Sequence, residues 1–507
     1  MPEQAARVDL RLVPGALAAW VTTAAGVVWG LGLLLAAFGT AVGIGWALAS
    51  RLLGGRHPWL RASAAGVLGA ATMGAGFGVG AALRTDAVSH HPLAALVGTT
   101  AWVSVTPGET PRQSGPGRLM FRAQLHRVGE AETNAAVTVF ASAADFGLLG
   151  AGQPAYFRAR IGRPARHDLT VATLTAVGRP RFGTGSAVQR AARTVRDRFA
   201  SVAREVLPAD QAAMLPGLVL GDTAAVPAAT TAEFRTAGLT HLTAVSGANV
   251  TIVCGAVLLC GYLIGPRPAV ALAALALTAL VVVVQPTASV LRAAVMGAIG
   301  LLAIITGRRR QAIPVLAATV IALMVVSPQL AVDIGFALSV SATAALVLVV
   351  PVWSARLMAS GWPKPLAHGL CVAIAAHLVT APLVAAITGR FSMVSVLANL
   401  AVALVIPPIT VLGTAAATLV MIWPAAAGLV MRFTGPELWW LLRVAHLAAG
   451  LPGAAVPVPS GWAGVVVVGC GGVLTVVLWR WRWFRLTAAA AVLCGTAWSV
   501  SGLVGGP

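Results

Sequence analysis

The sequence predicts a polytopic α-helical membrane protein of about 13 membrane segments, with a small all-β, OB-like extracytoplasmic domain inserted after the third. Three observations carry that prediction. Of 507 residues, 58% are hydrophobic and only 10% are charged, too little charge to cover a water-soluble body of this length. Apolar stretches of about 20 residues, the length that crosses a hydrocarbon core, recur through most of the chain. Between Thr85 and about Gly185 the apolar runs instead shorten and alternate, as strands do.

Residues 1–84 read as amino-terminal transmembrane helices: Pro14–Gly30, Leu31–Ser50 and Leu60–Leu83. The first apolar stretch is too long for a signal-peptide core. Arg51, Arg56 and Arg61 place the loop between the second and third helices in the cytoplasm. The amino terminus, with Arg7 and Arg11, then lies on the same side, and the third helix delivers the next segment to the opposite face.

Residues 85–185 form the β domain. Trp102–Thr106, Arg118–Val128, Asn134–Ser142, Ala155–Gly162 and Thr170–Val177 read as strands separated by Gly, Pro and charged turns. Leu119, Phe121, Ala123 and Leu125 alternate onto one face. Strands of this number and length suit an OB-like barrel, with a simple sandwich as the other solution. From Thr85 to Ala200 there are fourteen Arg and seven acidic residues. Long translocated domains escape the positive-inside bias, so this excess points to an anionic partner.

Residues 186–237 read as interfacial. In Ser186–Leu207, Val188, Val195, Phe199, Val202 and Val206 recur at helical spacing, with Arg190, Arg193, Arg196 and Arg204 largely elsewhere on the helix. Such a helix either rests on the lipid surface or packs on the barrel as a linker.

Residues 238–507 read as a nearly continuous membrane domain. Spans are expected near Gly238–Ile264, Ala269–Val284, Thr287–Thr306, Ala312–Val326, Leu330–Val350, Leu366–Thr388, Ser392–Ile422, Glu437–Gly450, Trp462–Trp479 and Leu486–Leu503. The Arg308–Arg310 cluster, the Arg356/Lys364 loop and the Arg480–Arg485 cluster then all fall on the cytoplasmic side. Pro407-Pro408 splits Ser392–Ile422, which makes that segment a broken or re-entrant helix lining a cavity. Cytoplasmic arginines also account for much of the net charge of +20. The cysteines, Cys254, Cys260, Cys371, Cys470 and Cys494, lie in apolar stretches with no CxxC pattern, so neither disulfides nor a metal centre nor any other cofactor is expected.

Polar and ionisable residues within lipid are costly and call for individual explanation. The densest group opens a span: Gly238-Leu-Thr-His-Leu-Thr-Ala-Val-Ser-Gly-Ala-Asn249. On a continuous helix His241, Ser246 and Asn249 share part of one surface, either as pathway groups or as helix-packing glue. Arg292 falls in the first half of one span and Asp333 near the start of another. Beyond Phe234 the only acids are Asp333 and Glu437, against thirteen Arg and one Lys. Arg292 therefore either pairs with Asp333 or faces a wet pathway and meets phosphates.

Several separate segments resemble the ComEC competence family. They are Leu215-Pro-Gly-Leu-Val-Leu-Gly-Asp222, Phe234-Arg-Thr-Ala-Gly-Leu-Thr-His-Leu-Thr-Ala-Val-Ser-Gly-Ala-Asn-Val250, Ser289-Val-Leu-Arg-Ala293, Asp333-Ile-Gly-Phe-Ala-Leu-Ser339 and Thr388-Gly-Arg-Phe-Ser-Met-Val-Ser-Val-Leu-Ala-Asn399. Their order and spacing are similar too, across Leu207–Pro424. The resemblance implies a non-enzymatic, multi-pass channel in the cytoplasmic membrane that passes one DNA strand during natural transformation, with the β domain presenting DNA outside. It implies that His241, Ser246, Asn249, Arg292, Asp333 and Asn399 line or brace the pathway, and that Arg118, Arg122, Arg158 and Arg160 contact DNA on the barrel. Trp102, Phe121, Phe140, Tyr156, Phe157 and Phe182 are expected to divide between barrel core and stacking platforms.

The implied partners are single-stranded DNA, membrane lipid, a DNA receptor outside, a separate nuclease, a cytoplasmic motor and a second copy of the chain. Many family members end in a metallo-β-lactamase-like domain. This chain stops at Pro507 and has no HxHxDH pattern among its nine His, which reads as a form without that domain. Ala337 stands where a Gln is common in the family. The alternative is a secondary transporter or exporter of another solute with a repurposed core, which predicts inverted repeats with paired broken helices; one Pro-broken helix is seen. An intramembrane enzyme using His241 and Ser246 is disfavoured, since five helical positions separate them by about 140°.

Overall fold

The computed structural model describes residues 9–53, 57–164, 168–243, 245–306, 311–483 and 486–487. The chain begins with α1 (Val13–Trp29), α2 (Gly32–Leu52) and α3 (Pro58–Ser89). Strands β1 (Thr100–Pro107), β2 (Arg112–Gln113), β3 (Arg118–Val128) and β4 (Ala131–Ser142) come next, then α4 (Ala143–Phe146), β5 (Ala155–Gly162) and β6 (Ala172–Phe182). Helices α5 (Ala187–Val206), α6 (Ala209–Leu220) and α7 (Ala228–Thr236) lead to α8 (Gly247–Gly261), α9 (Pro266–Val284), α10 (Ala288–Ile305), α11 (Ala312–Val326) and α12 (Ile334–Leu348). Beyond them come α13 (Val350–Ala359), α14 (Lys364–Thr388), β7 (Arg390–Ser392), α15 (Ser395–Val402), α16 (Ile406–Leu419), α17 (Pro424–Arg432), α18 (Gly435–Gly450), β8 (Ala455–Pro457) and α19 (Gly461–Leu478).

Two compact units result: Met1–Arg198 with Val250–Ala337, and Phe199–Asn249 with Leu338–Pro507. In the first, α2 and α3 meet through small residues. A Cβ on Gly32 would stand 2.6 Å from the Gly78 carbonyl oxygen, and one on Gly78 would stand 2.6 Å from that of Gly32. Lipid gives apolar helices no hydrophobic reason to associate, so close backbone approach through glycine supplies the packing. The Trp20 indole N–H donates to the Ala331 carbonyl at 2.9 Å and its ring meets Phe336 edge-on at 5.2 Å. These contacts fix α1 against the chain entering α12.

The β domain is a closed ring. β1 pairs with both β5 and β3, β3 with β4, β4 in parallel with β6, and β6 with β5. All five expected strands are present, and β2 adds a two-residue edge to β3. Strand parity explains the core: Phe121, Leu125, Phe157, Ile161 and Leu174 point inward while their neighbours face out. Phe146 on α4 and Leu93 complete the same core. Register shifts at Ser104/Val105, Leu125/Arg127 and Tyr156/Arg158 add the local twist that lets so few strands close.

Helix α5 keeps part of the expected apolar face, with Phe199 and Val202 buried, but Val188 is exposed, and Ala192, Ala203 and Arg196 are buried as well. Its first half packs on the barrel: Arg193 donates to Gln153 Oε1 at 2.9 Å and to the Leu148 carbonyl at 2.8 Å. Within the first unit the linker arrangement therefore describes this half of the helix.

In the second unit β7 pairs with β8, and α15 and α16 form a pair bent by 54°. Pro407 and Pro408 sit in the first turn of α16, where a missing N–H has no intrahelical partner to lose. The prolines therefore restart the helix after the break. Among the described residues eight helices are long and apolar enough to cross a membrane, nine if the bent pair counts as one. That is fewer than the expected count of about 13, within the described residues. Helices α1 and α11, with 17 and 15 residues, are apolar but shorter than these eight, and α18 has 16 residues including Glu437 and Arg443. The expected span near Leu486–Leu503, apart from its first two residues, lies outside the described residues. So do Arg7, Arg56, Arg308–Arg310, Arg485 and Cys494.

Candidate functional site

The segment expected to open the fourth span as a continuous helix does not do so. Gly238 takes a positive φ of 73°, Thr240–Leu242 is a 3-10 turn, and α8 starts only at Gly247. His241 is exposed on that turn and does not share a helix surface with Ser246 and Asn249. The break is local chemistry. The Ser246 hydroxyl accepts from the Asn249 N–H at 3.4 Å, capping the new helix as Ser does at an N-cap.

Asn249 is only 7% exposed and ties three elements of the second unit together. Its Nδ2 donates to the Leu218 carbonyl of α6 at 3.1 Å, and its Oδ1 accepts from Ser246 Oγ at 3.2 Å. The Thr410 hydroxyl of α16 lies 3.5 Å from the same oxygen. Gly413 lets α16 lie against α6, since a Cβ there would overlap the Val219 side chain. Leu218, Leu242, Ser246, Asn249, Ile406, Ile409 and Thr410 enclose a cavity of about 10 Å³, room for roughly one water molecule. Thr410 and the Leu218 carbonyl were not among the sequence candidates. The two prolines that start α16 are the signal that places Thr410 near a break.

Asn399 serves the neighbouring turn. Its Nδ2 donates to the Ser395 carbonyl at 2.8 Å and lies 3.2 Å from Ser395 Oγ and 3.5 Å from the Gly238 carbonyl. The Ser392 hydroxyl donates to the Thr236 carbonyl at 2.7 Å. Residues from two motifs far apart in sequence thus hold the Gly238 turn.

In the first unit Arg292 lies on α10, 7% exposed, with one guanidinium nitrogen 3.1 Å from Met296 Sδ. The Asp333 carboxylate does not take Arg292 as its cation. One oxygen accepts from the Phe336 N–H at 2.9 Å, capping α12, and the other faces Arg122 of β3 at 3.8 Å. The barrel is held to the membrane helices of this unit at further points. Gln285 Oε1 accepts from the Thr110 N–H at 3.0 Å and its Nε2 donates to Thr110 Oγ1 at 2.6 Å. Arg196 donates to the Val283 carbonyl at 2.7 Å. Gln285, with φ of 76°, is the sole non-glycine with positive φ among the described residues, a conformation its two bonds to Thr110 hold in place.

Arg122 and Asp333 side chains are 53% and 22% exposed, so water screens the pair. A double-mutant cycle of Arg122→Ala and Asp333→Asn, read by thermal melting in detergent, should give a coupling of at most about 1 kcal/mol that shrinks in 1 M salt. Additive single effects would show that the two groups do not interact.

The barrel candidates fall in different places. Arg122 is matched to Asp333; Arg118 lies exposed on β3, and Arg158 and Arg160 are exposed on β5. Phe121 and Phe157 are core residues, Phe140 is half-buried, and Trp102, Tyr156 and Phe182 are exposed.

The family described as Competence protein matches residues 218–483, just over half of the chain. No curated protein and no solved structure matches it.

Proposed function

Because the chain belongs to the Competence protein family, we propose that it is a channel of the cytoplasmic membrane through which single-stranded DNA enters during natural transformation. The observation that carries this reading is that the family match lies on a helical half almost without acids. Beyond Phe234 stand two carboxylates against thirteen Arg and one Lys. The positive-inside rule accounts for the arginines of the cytoplasmic loops, but the scarcity of acids leaves a path that does not repel a strand bearing one charge per phosphate.

In this reading the amino terminus is cytoplasmic and the barrel, an OB-like module, stands outside and receives the strand. The ring of five strands with one parallel pair supports the OB-like assignment. His241, Ser246, Asn249 and Asn399 in the second unit, and Arg292 and Asp333 in the first, line or brace the path. Asn249 closes a water-sized cavity, so passage requires opening there. The bent α15–α16 pair supplies the broken backbone that membrane proteins keep only where it is enclosed by protein or lines a cavity. A receptor outside, a nuclease that yields the single strand and a cytoplasmic motor complete the process.

Deletion of the gene followed by exposure to fluorescent DNA tests the reading. Label should accumulate outside the cytoplasm and transformants should vanish. Normal transformation in the deletion strain would leave the protein with another cargo.

A further inference from the structure

The strongest feature that the channel reading leaves undeveloped is on the outside of the barrel. Trp102 of β1 and Tyr156 of β5 stack with ring centroids 5.1 Å apart and planes 10° from parallel. They are 45% and 38% exposed. Barrel interiors absorb aromatic rings for their area, as Phe121, Phe146 and Phe157 show here. A stacked pair left in water has no such explanation.

The surroundings are cationic. Arg158 stands opposite Trp102 across β1 and β5, Arg181 stands opposite Tyr156 across β5 and β6, and Arg160 stands opposite Thr100. All three arginines are exposed. Neither β1, β5 nor β6 contains an Asp or Glu. Arg179, just before Arg181 on β6, is matched to Asp145 at 3.6 Å, but Arg158, Arg160 and Arg181 have no carboxylate at ion-pair distance among the described residues. Most of this face lies away from the docked one: Arg122 meets Asp333 from β3, and β5 and β6 do not border β3. Trp102 is on β1, which does, but at the end of that strand away from the Pro107–Ala123 pairing beside Arg122.

We propose that the Trp102–Tyr156 stack, flanked by Arg158, Arg160 and Arg181, is the barrel's contact face for single-stranded nucleic acid. This rests on the DNA-channel reading and adds to it which face of the barrel holds the strand and by what chemistry. Bases stack on exposed rings whatever their sequence, and guanidinium groups beside the rings meet the phosphates. The same residue types also suit an anionic lipid surface, where Trp and Tyr rest at the headgroup level. The docking of β3 against the membrane helices favours the strand, because it leaves β5 and β6 as the strands not bordering that contact.

The test uses the full-length protein in nanodiscs of zwitterionic lipid, with labelled oligothymidylate followed by anisotropy across a salt series. Trp102→Ala/Tyr156→Ala should weaken binding by about tenfold or more, with little change in salt slope. Trp102→Phe/Tyr156→Phe should recover most of that loss, which an unfolded barrel would not. Arg158→Gln/Arg160→Gln/Arg181→Gln should lower the log–log salt slope by about 2, roughly 0.7 for each phosphate no longer neutralised. Wild-type affinity in the alanine variant overturns the proposal, as does a larger loss from Arg118→Gln than from the triple arginine variant. Loss of binding to anionic vesicles with oligothymidylate affinity intact overturns it in favour of a lipid contact. If the wild-type protein binds no oligothymidylate at all, the channel reading falls as well; binding that ignores these variants sinks the patch alone.

Discussion

Gly238→Val is expected to remove most folded protein from the membrane. Gly238 holds φ at 73°, a region that costs an L-residue about 1–2 kcal/mol and a β-branched one more. The same position has no room for a side chain. A Cβ would overlap Ser395 Oγ, lie 2.5 Å from Ser395 Cβ and come within 3.3 Å of Ser392 Oγ. Overpacking of that kind costs typically about 1–3 kcal/mol, and the two terms act together at a turn that Asn399 and Ser392 already grip. The sum, about 2–5 kcal/mol, is a large part of the roughly 5–15 kcal/mol that keeps a domain folded. Membrane-fraction immunoblots and detergent melting should show reduced level and a lower midpoint. Gly238→Ala should fall between valine and wild type, and adding Ser395→Gly should relieve the steric part only. A valine variant with wild-type level and midpoint would show that the turn does not constrain this residue.

The position of that turn also marks what could be read from the sequence. Alternation in Leu119, Phe121, Ala123 and Leu125 set the inward face of β3 correctly because strand parity is local. Pro407-Pro408 announced the bent helix for the same reason: proline acts on its own turn. The run from Gly238 to Asn249 read as helix because apolar composition alone sets a span. The signals that stop and restart it, a left-handed glycine and a capping serine, are single residues within a uniformly apolar stretch. Arg196 reads as a polar-face residue because charge usually seeks water. It is buried because the last carbonyls of α9 lack helical partners and the guanidinium reaches the one on Val283. The partner of Asp333 was the hardest to anticipate. Pairing it with Arg292 assumed that nearby spans supply each other's counter-charges, whereas Arg122 comes from a strand distant in sequence.

Arg292→Met is expected to abolish DNA uptake while leaving the amount and melting midpoint of the protein unchanged or raised. An Arg in the first half of an apolar helix costs up to about 2.5–3.5 kcal/mol, the value that insertion scales give at the centre, and Met matches its length without the charge. Asp333 already has Arg122 as its cation, so the substitution does not strand that carboxylate, and it removes the desolvation cost of a buried guanidinium. If Arg292 meets phosphates during passage, the loss is specific to transport. A hydrogen bond to a charged group is worth up to about 3 kcal/mol, on the order of 100-fold in rate if it acts at the limiting step. Arg292→Lys keeps the charge but not the planar fork that matches phosphate oxygens, and should fall between the two. A purely structural Arg292 gives the reverse pattern: lower level and midpoint in the Met variant, with uptake per surviving molecule at the wild-type rate. Labelled-DNA uptake normalised to membrane-fraction protein separates the two, and a normalised rate equal to wild type would take Arg292 out of the path.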